Sequence, residues 1–160
     1  MSKIVVLGAG MVGKAIAIDL SKRHDVTSID IDSASLEYLS ATYPIKTKVL
    51  SVDDINELCI IVKDCDIVVS AVPGFLGLKT MVNIIRCKKN LVDISFLPED
   101  VLHLDKLAKE NNVTVVMDCG VAPGMPNFII GHHNELMKIE RMDYMVGGLP
   151  KVRTFPFEYK

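Results

Sequence analysis

The sequence predicts an α/β fold: a doubly wound parallel sheet, with the beginning of a second α/β domain at its C-terminal side. Three observations carry that reading. Six short apolar runs alternate with segments of helical periodicity. The run Asp66-Ile67-Val68-Val69-Ser70-Ala71-Val72 has almost no polar face, as a central parallel strand buried on both sides requires. The first run, Ile4 to Leu7, passes through Gly8, Gly10 and Gly13 directly into an apolar helical segment.

Taken in order, strand one is expected over residues 3–7 and the first helix over about 11–23. Strand two covers 25–30. Asp32 and Ser33 can cap a short helix through Leu36 and Leu39, which Tyr43-Pro44 ends. Strand three lies near 46–52. Ser51 and Asp54 have capping-box spacing, and Ile55, Leu58, Cys59 and Val62 behind them share a helical face. Strand four, residues 66–72, is ended by Pro73-Gly74. Leu78, Met81, Val82 and Ile85 mark the next helix, and 90–94 is strand five. Pro98 suits the first turn of a helix carrying Val101, Leu104, Leu107 and Ala108. Strand six is 113–117. The pattern then changes to a turn-rich connector from Gly120 to Pro126, a helix with Phe128, Ile129, Leu136 and Met137, and a strand within 141–148. The expected domains are therefore 1–125 and 126–160.

Strand, glycine turn and helix together give the G-x-G-x-x-G spacing a mechanism. Gly8 permits the tight turn, Gly10 lets a pyrophosphate approach the backbone, and Gly13 lets helix and strand pack closely. The first helical turn, with Met11 and Val12, then offers N–H groups to the phosphates. Asp30 ends strand two 22 residues after Gly8, where a carboxylate can hold the ribose hydroxyls of a dinucleotide. Ile31 beside it is also expected to touch the cofactor. In such a sheet the ligand lies outside the carboxyl ends of the strands, so Asp53, Ala71, Val72 and Pro73 join the cofactor-binding set. Asp93, Ser95, Asp118 and Cys119 are the substrate-side candidates, although Asp93 could equally cap the helix at Pro98. Asp30 and Asp32 surround the expected 2′-hydroxyl, and no Arg or Lys occurs from Ile31 to Ile45, so NAD is expected in preference to NADP.

Composition removes several other classes. The net charge is −2 with signs interspersed, which does not suggest a nucleic-acid surface. No apolar run reaches the roughly 18 residues that span a bilayer, and the first residues enter a strand without a signal segment, so a cytoplasmic protein is expected. Cys59, Cys65, Cys87 and Cys119 form no C-x-x-C pair and are expected as reduced, mostly buried thiols. His132 and His133 are adjacent and point about 100° apart on a helix, so no shared metal is expected and one is read as half-buried, the other as exposed.

The segments VVLGAGMVGKAIAIDL, VVSAVPGFLG, VDISFLPED, DCGVAPGMPNFIIG and YMVGGLP resemble the saccharopine dehydrogenase-like oxidoreductases, with the lysine 6-dehydrogenase branch closest. The resemblance covers the whole chain, and DCGVAPG and VGGLP are its more specific parts. It implies a Rossmann nicotinamide-binding domain, then a mixed α/β domain that completes the substrate site and a dimer. It further implies NAD(P)-linked hydride transfer at a carbon–nitrogen bond of lysine or a lysine-derived amino acid, with most of the substrate-recognition surface beyond Lys160. No catalytic acid or base is assigned. A stand-alone module that binds or senses NAD(H) is the alternative reading, and continuation of the natural reading frame past Lys160 would separate the two.

Overall fold

β1 (Lys3–Leu7) sends alternate side chains to two hydrophobic layers, and the architecture follows from that alternation. Val5 and Leu7 join Ile29, Leu58, Val62, Val68, Met81, Ile84 and Leu91 in one core. Ile4 and Val6 join Ala17, Val26, Leu36, Leu39 and Ile45 in the other. Both faces of the strand are therefore covered, and each fully buried Val or Leu contributes about 1.5–3 kcal/mol relative to exposure.

The structure is a computed structural model that describes residues 1–147. After β1 come α1 (Met11–Ser21), β2 (Asp25–Asp30), α2 (Ser33–Thr42), β3 (Ile45–Val49), α3 (Ile55–Val62), β4 (Ile67–Ser70), α4 (Gly74–Arg86) and β5 (Leu91–Asp93). A 3-10 turn (Val101–Leu104) leads into α5 (Asp105–Glu110), followed by β6 (Val115–Val116). The six strands are all parallel, in the order β3-β2-β1-β4-β5-β6. This is the doubly wound Rossmann-type sheet, with the reversal of strand order between β1 and β4.

Local chemistry explains the helix starts. The Asp32 carboxylate accepts the Ala34 N–H at 3.2 Å and caps α2. Asp54, rather than Ser51, caps α3: its Oδ1 accepts the Glu57 N–H at 3.1 Å, while Ser51 Oγ accepts only the Asp53 N–H. The capping box expected at Ser51 is therefore not formed; a single carboxylate cap three residues later starts the helix, and the Asp54 N–H donates to the Ser51 carbonyl. Pro98 does not open a helix either. Asp100 caps the 3-10 turn through the Leu102 N–H at 3.0 Å, so the helical segment begins after the proline.

Two of the four cysteines are not thiols. Cys59 of α3 and Cys87 at the end of α4 form a disulfide, their Cα atoms 5.0 Å apart. The partners come from different helices, 28 residues apart, a pairing that no short-range motif signals. Cys65 and Cys119 remain free.

A second unit begins at Val121. It contains α6 (Met125–Leu136), which starts where Gly124 adopts φ +138° and donates its N–H to Asn127 Oδ1 at 3.2 Å. Phe128, Ile129 and Leu136 are exposed, as is Tyr144. His132 and His133 are both exposed, against the expectation of one half-buried ring, since α6 buries none of its residues. The strand expected within 141–148 is not formed over 141–147, where no neighbouring ladder exists among the described residues. Phe155 and Phe157, expected to be partly exposed like Phe128, Ile129 and Tyr144, lie outside the described residues, as does Gly148.

The start of α4 packs against the loop after β5 without room for a side chain. A Cβ on Gly74 would lie 2.1 Å from the Phe96 carbonyl oxygen, a backbone atom. Gly74→Ala is therefore expected to destabilise the fold by about 1–3 kcal/mol. Urea unfolding of the two proteins measures this, and an unchanged midpoint would contradict the close packing.

Candidate functional site

The carboxyl ends of the six strands are tied side by side by main-chain hydrogen bonds. Leu50 N–H donates to Asp30 O, Gly8 N–H to Ile29 O, and Ala71 N–H to Leu7 O. Ile94 N–H donates to Ser70 O, and Cys119 N–H to Asp93 O. One edge of the sheet thus gathers the loops after all six strands. This is the edge at which a doubly wound sheet binds its ligand.

At its centre is the glycine loop. Gly8 adopts φ +96°, and a Cβ there would lie 2.7 Å from the Ala71 carbonyl oxygen. Gly13 is tighter still, its Cβ position being 2.0 Å from the Gly8 carbonyl oxygen and 3.3 Å from the Ala71 Cβ. Gly10 is the opposite case: nothing lies within 4 Å of a Cβ built on it. Two glycines therefore serve packing, and the third leaves space in front of the backbone. α1 has no side-chain cap at Gly10 and no acidic residue in its first turn, and its first main-chain bond is Lys14 N–H to Gly10 O. The exposed residues Met11 and Val12 thus present N–H groups to that space. An uncapped helix N-terminus facing an open, glycine-lined space suits a pyrophosphate.

Asp30 anchors the loop from the side. Its Oδ2 accepts the Ala9 N–H, and its Oδ1 accepts the Asp32 N–H at 2.9 Å. Carboxylate oxygens have further lone pairs, so Asp30 can still accept from ribose hydroxyls. Ile31 beside it is 74% exposed, an apolar surface suited to a base ring. The Ser35 hydroxyl and the Ala34 and Ser35 backbone N–H groups hold the Asp32 carboxyl below the usual range, with Lys14 adding to the effect. Asp53 is exposed and paired with Lys79 of α4 at 2.7 Å, while Asn83 of α4 donates to the Val52 carbonyl at 3.0 Å. α4 thereby holds the loop after β3.

On the other side of β1, Ala71, Val72 and Pro73 lead from β4 into α4. Asp93 and Ser95 are buried there and bonded to each other, so neither faces solvent. Asp93 does not cap a helix at Pro98. Asp118 adopts φ +56°, and Cys119 is half-buried with its Sγ 3.6 Å from the Val116 and Met117 carbonyl oxygens. Burial pushes the Cys119 thiol up, and Asp93 and Asp118 add to the rise, so the sulfur stays protonated. The structure adds Gly74 and Gly77 to this side. A Cβ on Gly77 would press on Leu97 and Ser95, so the pair lets α4 lie against the β5 loop. Their G-x-x-G spacing behind Pro73 was the available sequence signal. Among the described residues no group of His, Cys, Asp and Glu is arranged for a metal, and no helix is long and apolar enough to cross a membrane.

Residues 4–116 match the model of the saccharopine dehydrogenase NADP-binding domain family. The chain belongs to this family. It is 29% identical over 156 residues to the saccharopine dehydrogenase (NADP(+), L-glutamate-forming) of Pyricularia oryzae, covering 95% of this chain and 32% of that protein. It is 27% identical to the mitochondrial alpha-aminoadipic semialdehyde synthase of Bos taurus, covering 99% of this chain and 18% of that protein. Among solved structures, apo saccharopine dehydrogenase (L-Glu forming) from Saccharomyces cerevisiae superposes with a TM-score of 0.74 at 22% identity. That match covers 84% of this chain and 31% of the yeast chain, and it supports the fold. The chain therefore spans the nucleotide-binding portion of the saccharopine dehydrogenase family, about a third of the fungal relatives' length.

Gly10 has φ −67° and ψ −171°, which valine tolerates, and open space beyond it. Gly10→Val is expected to fold normally and to lose most of its affinity for a nicotinamide dinucleotide. Titration calorimetry on both proteins checks this, and equal affinities would remove the loop from the binding site.

Proposed function

We propose that the chain is the cofactor-binding portion of an amino-acid oxidoreductase that takes NAD in preference to NADP. Its substrate is lysine or a lysine-derived amino acid, as in the lysine 6-dehydrogenase branch, and its working form is a homodimer. The observation that carries the cofactor reading is the contrast among three glycines: Gly8 and Gly13 closed against backbone, and Gly10 open. A bound nicotinamide dinucleotide supplies hydride acceptance or donation. The protein's part is to hold it, with the first turn of α1 at the phosphates and Asp30 at the ribose. Ile31 and Asp53 lie on the adenine side, and Ala71, Val72 and Pro73 at the nicotinamide end. Asp118 and Cys119 are the groups proposed for the substrate side.

The family and its Pyricularia oryzae relative are named for NADP, so the preference for NAD rests on this chain's own charges. Asp30 and Asp32 carry the two carboxylates nearest the proposed ribose, and no Lys or Arg occurs from Ile31 to Ile45. A phosphate charge about 5 Å from a carboxylate is repelled by roughly 3 kcal/mol at an effective dielectric near 20. Lys14 opposes this in part. Its Nζ sits 5.5 Å from the centre of the Tyr38 ring, on the side of α1 that faces Asp32. The net expectation is a preference of at least about tenfold, equivalent to roughly 1.4 kcal/mol. Titrating NADH and NADPH at one salt concentration measures it, and tighter binding of NADPH would refute the proposed placement of Asp30 and Asp32.

A further inference from the structure

α4 carries a stripe of three side chains that reach the loop after β3 and the helix behind it. Lys79, Asn83 and Cys87 stand four residues apart, so they share one side of the helix. Lys79 pairs with Asp53 at 2.7 Å, Asn83 donates to the Val52 carbonyl at 3.0 Å, and Cys87 is bonded to Cys59 of α3. The first two contacts hold the 51–54 loop directly. The disulfide holds α3, which begins at the end of that loop with Asp54 as its cap. The contacts differ in strength. Asp53–Lys79 is an exposed ion pair and adds little, as does Lys48–Glu57, which ties the first turn of α3 to β3. Asn83 is buried but contributes a single hydrogen bond. The disulfide is the one covalent link between α3 and α4 among the described residues.

Both cysteines are half-buried rather than sealed in the core, so a small dithiol reaches the bond. Arg86 and Lys88 flank Cys87 and are exposed, and their charges favour the approach of an attacking thiolate. The far end of α3 does not depend on the disulfide. Leu58 and Val62 are fully buried, and Lys89 donates to the Lys63 and Cys65 carbonyls at 2.6 and 2.8 Å. Opening the bond therefore leaves the core in place and loosens the end of α3 that carries the loop.

We propose that the Cys59–Cys87 disulfide is a redox-sensitive clamp on the 51–54 loop, and that closing it strengthens dinucleotide binding at the adenine side. The proposal rests on the cofactor-binding reading and deepens it, through Asp53. A dithiol reductant opens the clamp. One of its thiolates attacks one sulfur, and the Cys59–Cys87 bond breaks as a mixed disulfide forms. The reductant's second thiol then attacks its own sulfur in the mixed disulfide and releases the protein. Two electrons and two protons end on Cys59 and Cys87 as thiols, and the reductant leaves as a cyclic disulfide. An open loop must be ordered again when the ligand binds, which lowers affinity. Linkage makes the effect mutual: the factor by which closing tightens NADH binding is the factor by which NADH resists opening.

The oxidised and the dithiothreitol-reduced chain are compared in NADH titrations and, without ligand, in amide exchange. Thiol titration of the unfolded chain is expected to find Cys65 and Cys119 before reduction and all four cysteines after it. The reduced chain is expected to keep its circular dichroism and to exchange the Asp53, Asp54 and Ile55 amides at least about tenfold faster. It is expected to bind NADH roughly three- to tenfold more weakly. Saturating NADH is expected to shift the disulfide's equilibrium with dithiothreitol by the same factor, about 14–30 mV towards a more negative potential. The double variant Cys59→Ser, Cys87→Ser is expected to bind like the reduced chain and to ignore dithiothreitol, which excludes an effect through Cys65 or Cys119. Four free thiols before reduction, equal affinities in the two redox states, or unchanged exchange at 53–55 would each overturn the clamp. So would a reduced chain that unfolds outright, since the bond would then serve the whole fold. Should the double variant not fold, the two states of the unsubstituted chain still decide. A chain that binds no NADH in either state refutes the cofactor reading instead, while the exchange comparison, which needs no ligand, still tests the clamp.

Discussion

The structure depends on one close approach. α1 reaches the sheet at the point where the strand order reverses, and it can do so only because Gly13 has no side chain to strike the Gly8 carbonyl. Gly8 in turn lies against the Ala71 carbonyl at the end of β4. Strand β1, the loop, the helix and strand β4 are thereby locked within van der Waals contact. The space in front of Gly10 is what this packing leaves over. Close packing and open space are two sides of the same constraint, and a larger residue at Gly13 would remove both.

Around this point the sheet edge divides into two halves of different character. On the β2–β3 side, charged and exposed groups prevail: Asp30 bound to the loop's own backbone, Asp32 at a helix start, and Asp53 paired with Lys79. Exposed ion pairs such as Asp53–Lys79 add little stability, so these groups are free to respond to a ligand. On the β4–β5 side Asp93 and Ser95 are buried and bonded to each other, and glycines bring α4 against the β5 loop. A rigid half and an adaptable half suit a molecule with a reactive ring at one end and a recognition handle at the other.

Much of this was readable in the residues because the signals are local. The glycine spacing, the apolar β4 run and the alternation of periods each arise within a few positions, and they led to the sheet and to the edge where its loops gather. What escaped depends on segments distant in sequence. The Cys59–Cys87 disulfide joins two helices, and neither cysteine has a motif around it. The burial of Asp93 and Ser95 has no local signal either, because it comes from β4, α4 and β6 together. The cap of α3 moved from Ser51 to Asp54 because either residue satisfies the pattern and only the turn geometry chooses. At 141–147 the alternating apolar residues suggested a strand, but a strand needs a partner ladder that periodicity cannot supply.

The central claim is that the open space at Gly10 is the cofactor's place on the sheet. Amide chemical-shift mapping during an NADH titration tests it most directly. The account predicts large shifts at Ala9 through Gly13, at Asp30 to Asp32 and at Ala71 to Phe75. It predicts no shifts at the opposite edge of the sheet, where Lys3 meets Asp66 and Lys46 meets Asp25. Shifts confined to that opposite edge, or saturable binding that leaves Ala9 through Gly13 unmoved, would contradict it.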